Sequence, residues 1–332
     1  MAKIAVLGAG TWGTALARTF ALGGNKVTIW SALQKEIDYI AEHRKHPNLP
    51  QMNVPKDIRL TADIGEAVSG KDIVVFAVSS LYTRSTARSA SPFIADSQIV
   101  VDVAKGLEAG SHKTLTEVIA DEINRPEIPL VALSGPTHAE ELALDMPTAI
   151  VAASVDARAA EYVQKVFSNN VLRVYTNSDI KGIEICGALK NIVALAAGMS
   201  DGLGFGDNAK AAIITRGMIE IQRLGMKMGC SEHTFGSLAG IGDLIVTCTS
   251  KHSRNNRTGY MIAKGVPVDE AIERIGMVVE GINALPAAME LSVQYDVELP
   301  ICSMVNYIIN GTISVSNALK MLMSRELKTE ME

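Results

Sequence analysis

Lys190 is the residue whose surroundings most strongly suggest proton chemistry. It stands in Ile183-Glu184-Ile185-Cys186-Gly187-Ala188-Leu189-Lys190-Asn191-Ile192-Val193-Ala194-Leu195, a stretch apolar almost all round. A helix of that composition is buried, and a lone ammonium inside it is costly to desolvate. Burial lowers a lysine's pKa toward neutrality, where the group can both give and take a proton. The plain alternative is a lysine that reaches solvent through a gap. Glu184, six residues earlier, falls on a different face and is expected to be solvated. Asp243 sits in Ala239-Gly240-Ile241-Gly242-Asp243-Leu244-Ile245-Val246-Thr247, among glycines and apolar residues, with the Thr247 hydroxyl one helical turn on. A buried carboxylate needs a cation, and Lys190 is the obvious candidate. Equally, Asp243 could cap a helix after the glycine turn.

Other polar residues fall at the ends of apolar runs. Lys105 follows Val100-Val101-Asp102-Val103-Ala104, so its ammonium projects past a strand end, over a cofactor or simply into solvent. Gly135-Pro136 follows the run 130–133 and either presents backbone N–H groups to an anion or is a plain turn. Ser253, Arg254 and Asn255 belong to the basic, amide-rich stretch 250–257. Arginine presents a planar fork of donors that grips phosphate, although a solvated turn is the blander reading. Among the histidines (His43, His46, His112, His138, His233 and His252) no metal-ligand spacing occurs. Cys186, Cys230, Cys248 and Cys302 form no C-x-x-C pair, so no metal is expected.

Gly8, Gly10 and Gly13 form a G-x-G-x-x-G directly after a strand-like run and before a helical one. The first glycine permits a tight turn, the second admits a pyrophosphate to the backbone, and the third allows close helix–strand contact. The helix beginning near Thr11 would offer unpaired N–H groups and a positive dipole end to that phosphate. Past the second strand neither Asp or Glu nor Arg stands where a ribose would be read; the nearest charges are Lys35 and Glu36. Lacking a carboxylate to repel a 2′-phosphate, the site mildly favours NADP over NAD.

The elements that must position these groups are legible as texture. Short Val/Ile-rich runs at 4–7, 27–30, 73–78, 99–103, 130–133 and 149–153 alternate with helical stretches at 14–22 and 114–123. That alternation predicts an α/β fold with a parallel, doubly wound Rossmann-type sheet. The segment 43–56, with Pro47, Pro50 and Pro55, is expected to be a loop. Beyond about residue 180, Gly-punctuated helical patterns take over at 183–199, 209–226, 268–275 and 282–295. The expected division is a dinucleotide-binding domain over 1–180 and an all-α, substrate-binding C-terminal domain over 181–332, with a charged, frayed tail after Ser324.

Length and composition agree with this. At roughly 100–200 residues per domain, 332 residues suggest two. With 48% hydrophobic and 20% charged residues a sizeable core can form. A net charge of −5 and few aromatics argue against nucleic acid and anionic membrane as partners. The N-terminal apolar run is too short for a signal peptide and no long uncharged run suggests membrane insertion, so a cytoplasmic protein is expected.

Taken together, G-x-G-T-W-G-T-A at 8–15, Ala104-Lys105-Gly106-Leu107-Glu108, S-G-P-T-H-A-E-E at 134–141 and A-L-K-N at 188–191 are distinctive. So are G-M-S-D-G-L-G-F-G-D-N-A at 198–209, I-T-R-G at 214–217, A-G-I-G-D-L-I-V-T-C-T at 239–249 and S-R-N at 253–255. The chain closely resembles the bacterial NAD(P)-dependent glycerol-3-phosphate dehydrogenases over about residues 3 to 300. The resemblance implies reversible reduction of dihydroxyacetone phosphate to sn-glycerol 3-phosphate, which supplies phospholipid synthesis. By motif position, Lys190 would exchange the proton of the C2 oxygen, Lys105 would bind substrate and polarise its carbonyl, and Asp243 and Thr247 would orient both. Gly135, Thr137, Ser253, Arg254 and Asn255 would hold the substrate, with Arg254 chiefly on its phosphate. Gly8, Gly10, Thr11, Trp12, Gly13, Lys105, Ala139, Arg254 and Glu280 would line the NADP or NAD site. The implied partner is a small phosphorylated molecule; a homodimer stays open. Three departures stand out: Ser79-Ser80 in place of Pro-Ser, Ala32 in place of Arg or His, and a loop at 46–50 without its usual tyrosine. Two rivals remain. The β-hydroxyacid dehydrogenases share the architecture but space their Lys and Asn apart, whereas Lys190-Asn191 are adjacent. A non-catalytic NADP-binding redox sensor would not need Lys105, Lys190 and Asp243 together.

Overall fold

In the computed structural model, which describes residues 1–327, Thr329 and Glu330, the first half of the chain builds one eight-stranded sheet. Its strands are β1 (Lys3–Leu7), β2 (Lys26–Trp30), β3 (Arg59–Thr61), β4 (Ile73–Phe76), β5 (Ile99–Asp102), β6 (Leu130–Ser134), β7 (Thr148–Ala153) and β8 (Leu172–Asn177). The spatial order is β3-β2-β1-β4-β5-β6-β7-β8. Strands β1, β4 and β5 are sealed from solvent on both faces, by Ile4, Val75 and Val101 on one and Leu7, Phe76 and Val100 on the other, which explains their unbroken apolar character. The strands run parallel here, but their order switches at β1, with β2 and β3 to one side and β4 to the other. A crevice therefore opens at the carboxyl ends of β1 and β4.

The sheet departs from the all-parallel expectation at one place: β6 and β7 pair antiparallel. The connection between them contains only the four-residue helix Ala139–Leu142, and a parallel crossover needs a full helix to carry the chain back. β7 and β8 then run parallel to each other. Two strands, β3 and β8, lay outside the apolar runs. β3 is three residues within a polar stretch, and β8 exposes Arg173 and Tyr175 on one face, so it alternates as an edge strand does. The segment 44–56 is a loop with only a bridge from His46 to Leu49, while His43 ends helix Gln34–His43.

After Asn177 the described residues form helices and turns. The central one, Ile180–Leu203, is buried on nearly every face, and Gly206–Lys227, Arg254–Ala263 and Glu280–Gln294 pack around it. It is the one helix among the described residues long and apolar enough to cross a membrane, and 94% of its apolar window is buried inside the protein. It is a core helix. The expected frayed tail includes Lys328, Met331 and Glu332, which lie outside the described residues.

Helices Ile180–Leu203 and Arg254–Ala263 cross with backbones nearly touching. A Cβ at Gly198 would overlap the Asn256 carbonyl, and one at Gly259 would overlap that of Leu195. This contact sets where Lys190 stands relative to Ser253 and Arg254. Because the obstacle is backbone and not a flexible side chain, Gly198→Ala should cost about 3 kcal/mol, the upper end of overpacking effects. Chemical denaturation measures this, and an unchanged midpoint would contradict so tight a crossing.

Candidate active site

Four elements converge at the crevice. The central helix brings Lys190, the end of β5 leads to Lys105, the turn after β6 supplies Gly135 and Thr137, and helix Asp243–Thr249 supplies Asp243 and Thr247. Lys190 Nζ donates to Asp243 Oδ1 at 2.5 Å and to Thr247 Oγ1 at 2.6 Å. Lys105 Nζ donates to the other carboxylate oxygen at 2.7 Å, to the Gly135 carbonyl at 3.0 Å and, at 3.5 Å, to Thr137 Oγ1. Thr247 donates in turn to the Asp243 carbonyl at 2.6 Å. Asp243 is fully buried and Lys190 is 5% exposed. The carboxylate points to the two lysines and caps no helix.

One buried carboxylate thus faces two ammonium groups. Burial pushes Lys190 down to about 7; Asp243 opposes that shift and the neighbouring Lys105 adds to it. The cluster holds a lysine where a proton can be given or taken near neutral pH.

The dinucleotide turn is built as its glycines require. Gly8 adopts φ +128°, and a Cβ there would stand 2.6 Å from the Ala77 carbonyl oxygen. In front of Gly10 the space is open, and helix Thr11–Leu22 starts with no side chain capping its first turn. Thr11 Oγ1 and Ser79 Oγ, at the ends of this turn and of β4, are buried without a hydrogen-bond partner. Uncapped N–H groups, open backbone and two orphaned hydroxyls fit a pyrophosphate. Trp12 packs against the sheet core, and Ala139 opens the short helix Ala139–Leu142. Past β2, Glu36 accepts a 2.6 Å hydrogen bond from Ser31.

Ser253 and Asn255 are buried, which overturns the solvated-turn reading for them, whereas Lys251, His252 and Arg257 of the same stretch are exposed. Ser253 caps helix Arg254–Ala263 by accepting from Asn256 N at 3.2 Å. Asn255 donates to Asn191 Oδ1 and accepts from Gly281 N, both at 2.9 Å, so it ties three helices together. Arg254 donates one N–H to the Val278 carbonyl at 3.0 Å, and burial lowers its pKa from the ordinary guanidinium range. Glu280 accepts from Ser80 Oγ at 2.6 Å and Ser80 N at 3.3 Å, joining the end of β4 to the helical region.

Both halves of the chain match family models: residues 3–160 the NAD-dependent glycerol-3-phosphate dehydrogenase N-terminus, and residues 179–320 the C-terminus. The chain belongs to the NAD-dependent glycerol-3-phosphate dehydrogenase family. It is 56% identical to a Lactobacillus delbrueckii subsp. bulgaricus protein named glycerol-3-phosphate dehydrogenase (NAD(P)+) 2, over 100% of this chain and 99% of that one. It is 47% identical to the Bacillus subtilis glycerol-3-phosphate dehydrogenase (NAD(P)+), over 100% and 97% of the two chains. A crystal structure of glycerol-3-phosphate dehydrogenase from Coxiella burnetii superposes with a TM-score of 0.93 at 35% identity, covering 98% of this chain and 99% of that one.

In this glycerol-3-phosphate dehydrogenase family member, several polar residues near the site had no distinct sequence signal. Glu184 is not solvated: it is buried and accepts from Thr116 N at 2.8 Å and Thr116 Oγ1 at 2.5 Å. Around Glu184 the central helix is enclosed, so no solvated face existed for it. Its carboxylate instead reaches the first turn of helix Leu115–Ile123, and burial raises its pKa to about 7. Asp102, three residues before Lys105, is also buried, and burial reinforced by Glu184 raises its pKa well above the usual carboxylate range. His138 is partly buried beside the lysines, although the spacing of the histidines suggested no role.

Asp243→Asn would leave two buried ammonium groups without their shared anion. Turnover should fall by about a hundredfold or more, and the chain should lose about 3 kcal/mol of stability, the scale of breaking a buried ion pair. Steady-state rates and denaturation read both. An Asn variant with wild-type turnover would show that the carboxylate is not needed.

Proposed function

We propose that the chain catalyses the reversible NAD(P)H-dependent reduction of dihydroxyacetone phosphate to sn-glycerol 3-phosphate, the precursor of glycerophospholipids. Family membership supports the reaction, and one observation supports the division of labour. An ammonium has three protons to donate. Asp243 and Thr247 take two from Lys190, which leaves one, whereas Lys105 has Asp243, Gly135 and Thr137 as acceptors. Lys190 is therefore the proton donor, and Lys105 contributes charge.

Gly8, Gly10, Thr11, Trp12 and Gly13, with Lys105, Ala139, Arg254 and Glu280 along the cleft, would hold NADPH or NADH, which when bound would supply a hydride for substrate C2. Lys190 Nζ gives its free proton to the C2 oxygen as negative charge develops there. Lys105 stabilises the same oxygen electrostatically in a site from which water is largely excluded. Asp243 and Thr247 keep the Lys190 ammonium aimed, and in the oxidation direction they hold the neutral amine that takes the hydroxyl proton. Gly135, Thr137, Ser253 and Asn255 shape the substrate cavity. Among the described residues the remainder of the Arg254 fork has no protein acceptor, which suits it to the substrate phosphate. The absence of a carboxylate from 31–35 supports acceptance of NADPH as well as NADH. In this reading 1–180 holds the dinucleotide and 181–332 completes the substrate site. Four free, buried cysteines suit a reducing cytoplasm, and a homodimer is the assembly to test.

Initial rates of NADPH and NADH oxidation with dihydroxyacetone phosphate test the reaction; no oxidation of either cofactor would refute it. Lys190→Met should lower kcat by about a hundredfold or more while leaving dinucleotide affinity near wild type. Since Lys190 is held to about 7, reduction, which needs the ammonium, should slow above that pH. Oxidation, which needs the amine, should slow below it. Arg254→Ala should raise KM for the phosphorylated ketone about tenfold or more, as expected for a lost charge-assisted pair. An unchanged KM would move the phosphate elsewhere.

A further inference from the structure

In a dinucleotide fold the adenosine ribose is read at the tip of the second strand, beside the glycine turn. No carboxylate stands within 31–35, which leaves NADPH admissible, but folding returns one to that place. Gly8 N donates to the Trp30 carbonyl at 2.8 Å, so the glycine turn and the last residue of β2 are bonded to each other. Ser31 follows directly and is buried. Glu36, in the first turn of helix Gln34–His43, folds back onto this tip, where its Oε2 accepts from Ser31 Oγ at 2.6 Å. Ser31 Oγ accepts in turn from Leu33 N at 3.1 Å, which fixes the hydroxyl and aims its proton at Glu36. Buried His46 has both Glu36 and the Ala9 backbone of the glycine turn acting on its ring, so the carboxylate lies close to that turn.

This carboxylate keeps its charge and part of its hydrogen-bonding capacity. Glu36 is half-buried, and among the described residues it forms no ion pair and its Oε1 accepts from no protein donor. His46 does not neutralise it, because His46 Nδ1 accepts from Asn48 N at 3.1 Å and so carries no proton. A hydroxyl can donate to such a carboxylate, whereas a phosphate dianion has only acceptors to offer and is repelled. We propose that Glu36, aimed by Ser31, accepts a hydrogen bond from the adenosine 2′-hydroxyl, so that this chain binds NADH more tightly than NADPH while accepting both. The inference rests on the dinucleotide site of the reaction proposed above.

Fluorescence titration of the protein with NADH and with NADPH, without substrate, gives the two Kd values. The wild type should bind NADH about tenfold or more tightly, since a charge-assisted hydrogen bond is set against a repulsion. Glu36→Gln keeps the length and removes the charge, and should lower the NADPH-to-NADH Kd ratio about tenfold, chiefly by tightening NADPH. Ser31→Ala releases the carboxylate and should give an intermediate ratio, chiefly through weaker NADH. Salt screens the repulsion, so raising the ionic strength should narrow the wild-type ratio and leave that of Glu36→Gln nearly unchanged. Retained NADH binding shows that a variant is folded; if a variant binds neither coenzyme, the salt dependence of the wild-type ratio decides. A wild type that binds NADPH as tightly as NADH overturns the proposal, as does a folded variant of either kind that keeps the wild-type ratio. A wild type that binds neither coenzyme refutes the dinucleotide site and the proposal with it. Binding of both without oxidation of either by dihydroxyacetone phosphate refutes the reaction alone, and the Kd ratio still judges Glu36.

Discussion

Asp243 is one carboxylate, sealed from solvent, that neutralises two lysines delivered by different parts of the chain. Its two oxygens are divided between them, so neither lysine can leave without stranding charge in the interior. The surface ion pairs differ in kind. Arg84 bridges Glu108 and Glu122 in a solvent-accessible network, and water screens such pairs to a fraction of the worth of a buried one. The remainder of the fold serves to place the four elements that bring Asp243, Lys190, Lys105 and Thr247 together.

That placement depends on close backbone contact. Gly198 and Gly259 let two helices meet without side chains between them, and Asn255 then ties the start of one to Asn191 and to Gly281. Glu184 docks the central helix on the first turn of Leu115–Ile123, while Glu280 docks its neighbour on Ser80. Lys190 therefore stands on a rod anchored at several points, with its pKa set by burial and by a fixed pair of neighbours. A positioned, partly desolvated ammonium stabilises a developing oxyanion because it need not reorganise when charge appears.

Much of this was legible in the sequence because it left a compositional trace. Gly8, Gly10 and Gly13 signalled the dinucleotide turn, since only glycine meets its steric demands. Lys190 was conspicuous as a charge in an apolar helix, and its pairing with Asp243 followed from the cost of burying either alone. The same logic was not extended to Glu184, which was given a solvated face although the helix is enclosed at that position. Neither β3 nor β8 carried the Val/Ile run of a doubly covered strand, and the direction of β7 depends on a connection too short in helix to cross over. Glu36 was passed over because a carboxylate was sought at the tip of β2 itself. It reaches that tip only once helix Gln34–His43 folds back on the strand.

The central claim is that burial against Lys105, with Asp243 as shared anion, holds Lys190 close to neutrality. The most direct test is a pH titration of the protein carrying 13Cε-labelled lysine, with the Lys190 resonance assigned by its loss in Lys190→Met. The account predicts a chemical-shift midpoint near 7, well separated from the other lysines. A Lys190 midpoint near 10, in the range of solvated lysines, would contradict it.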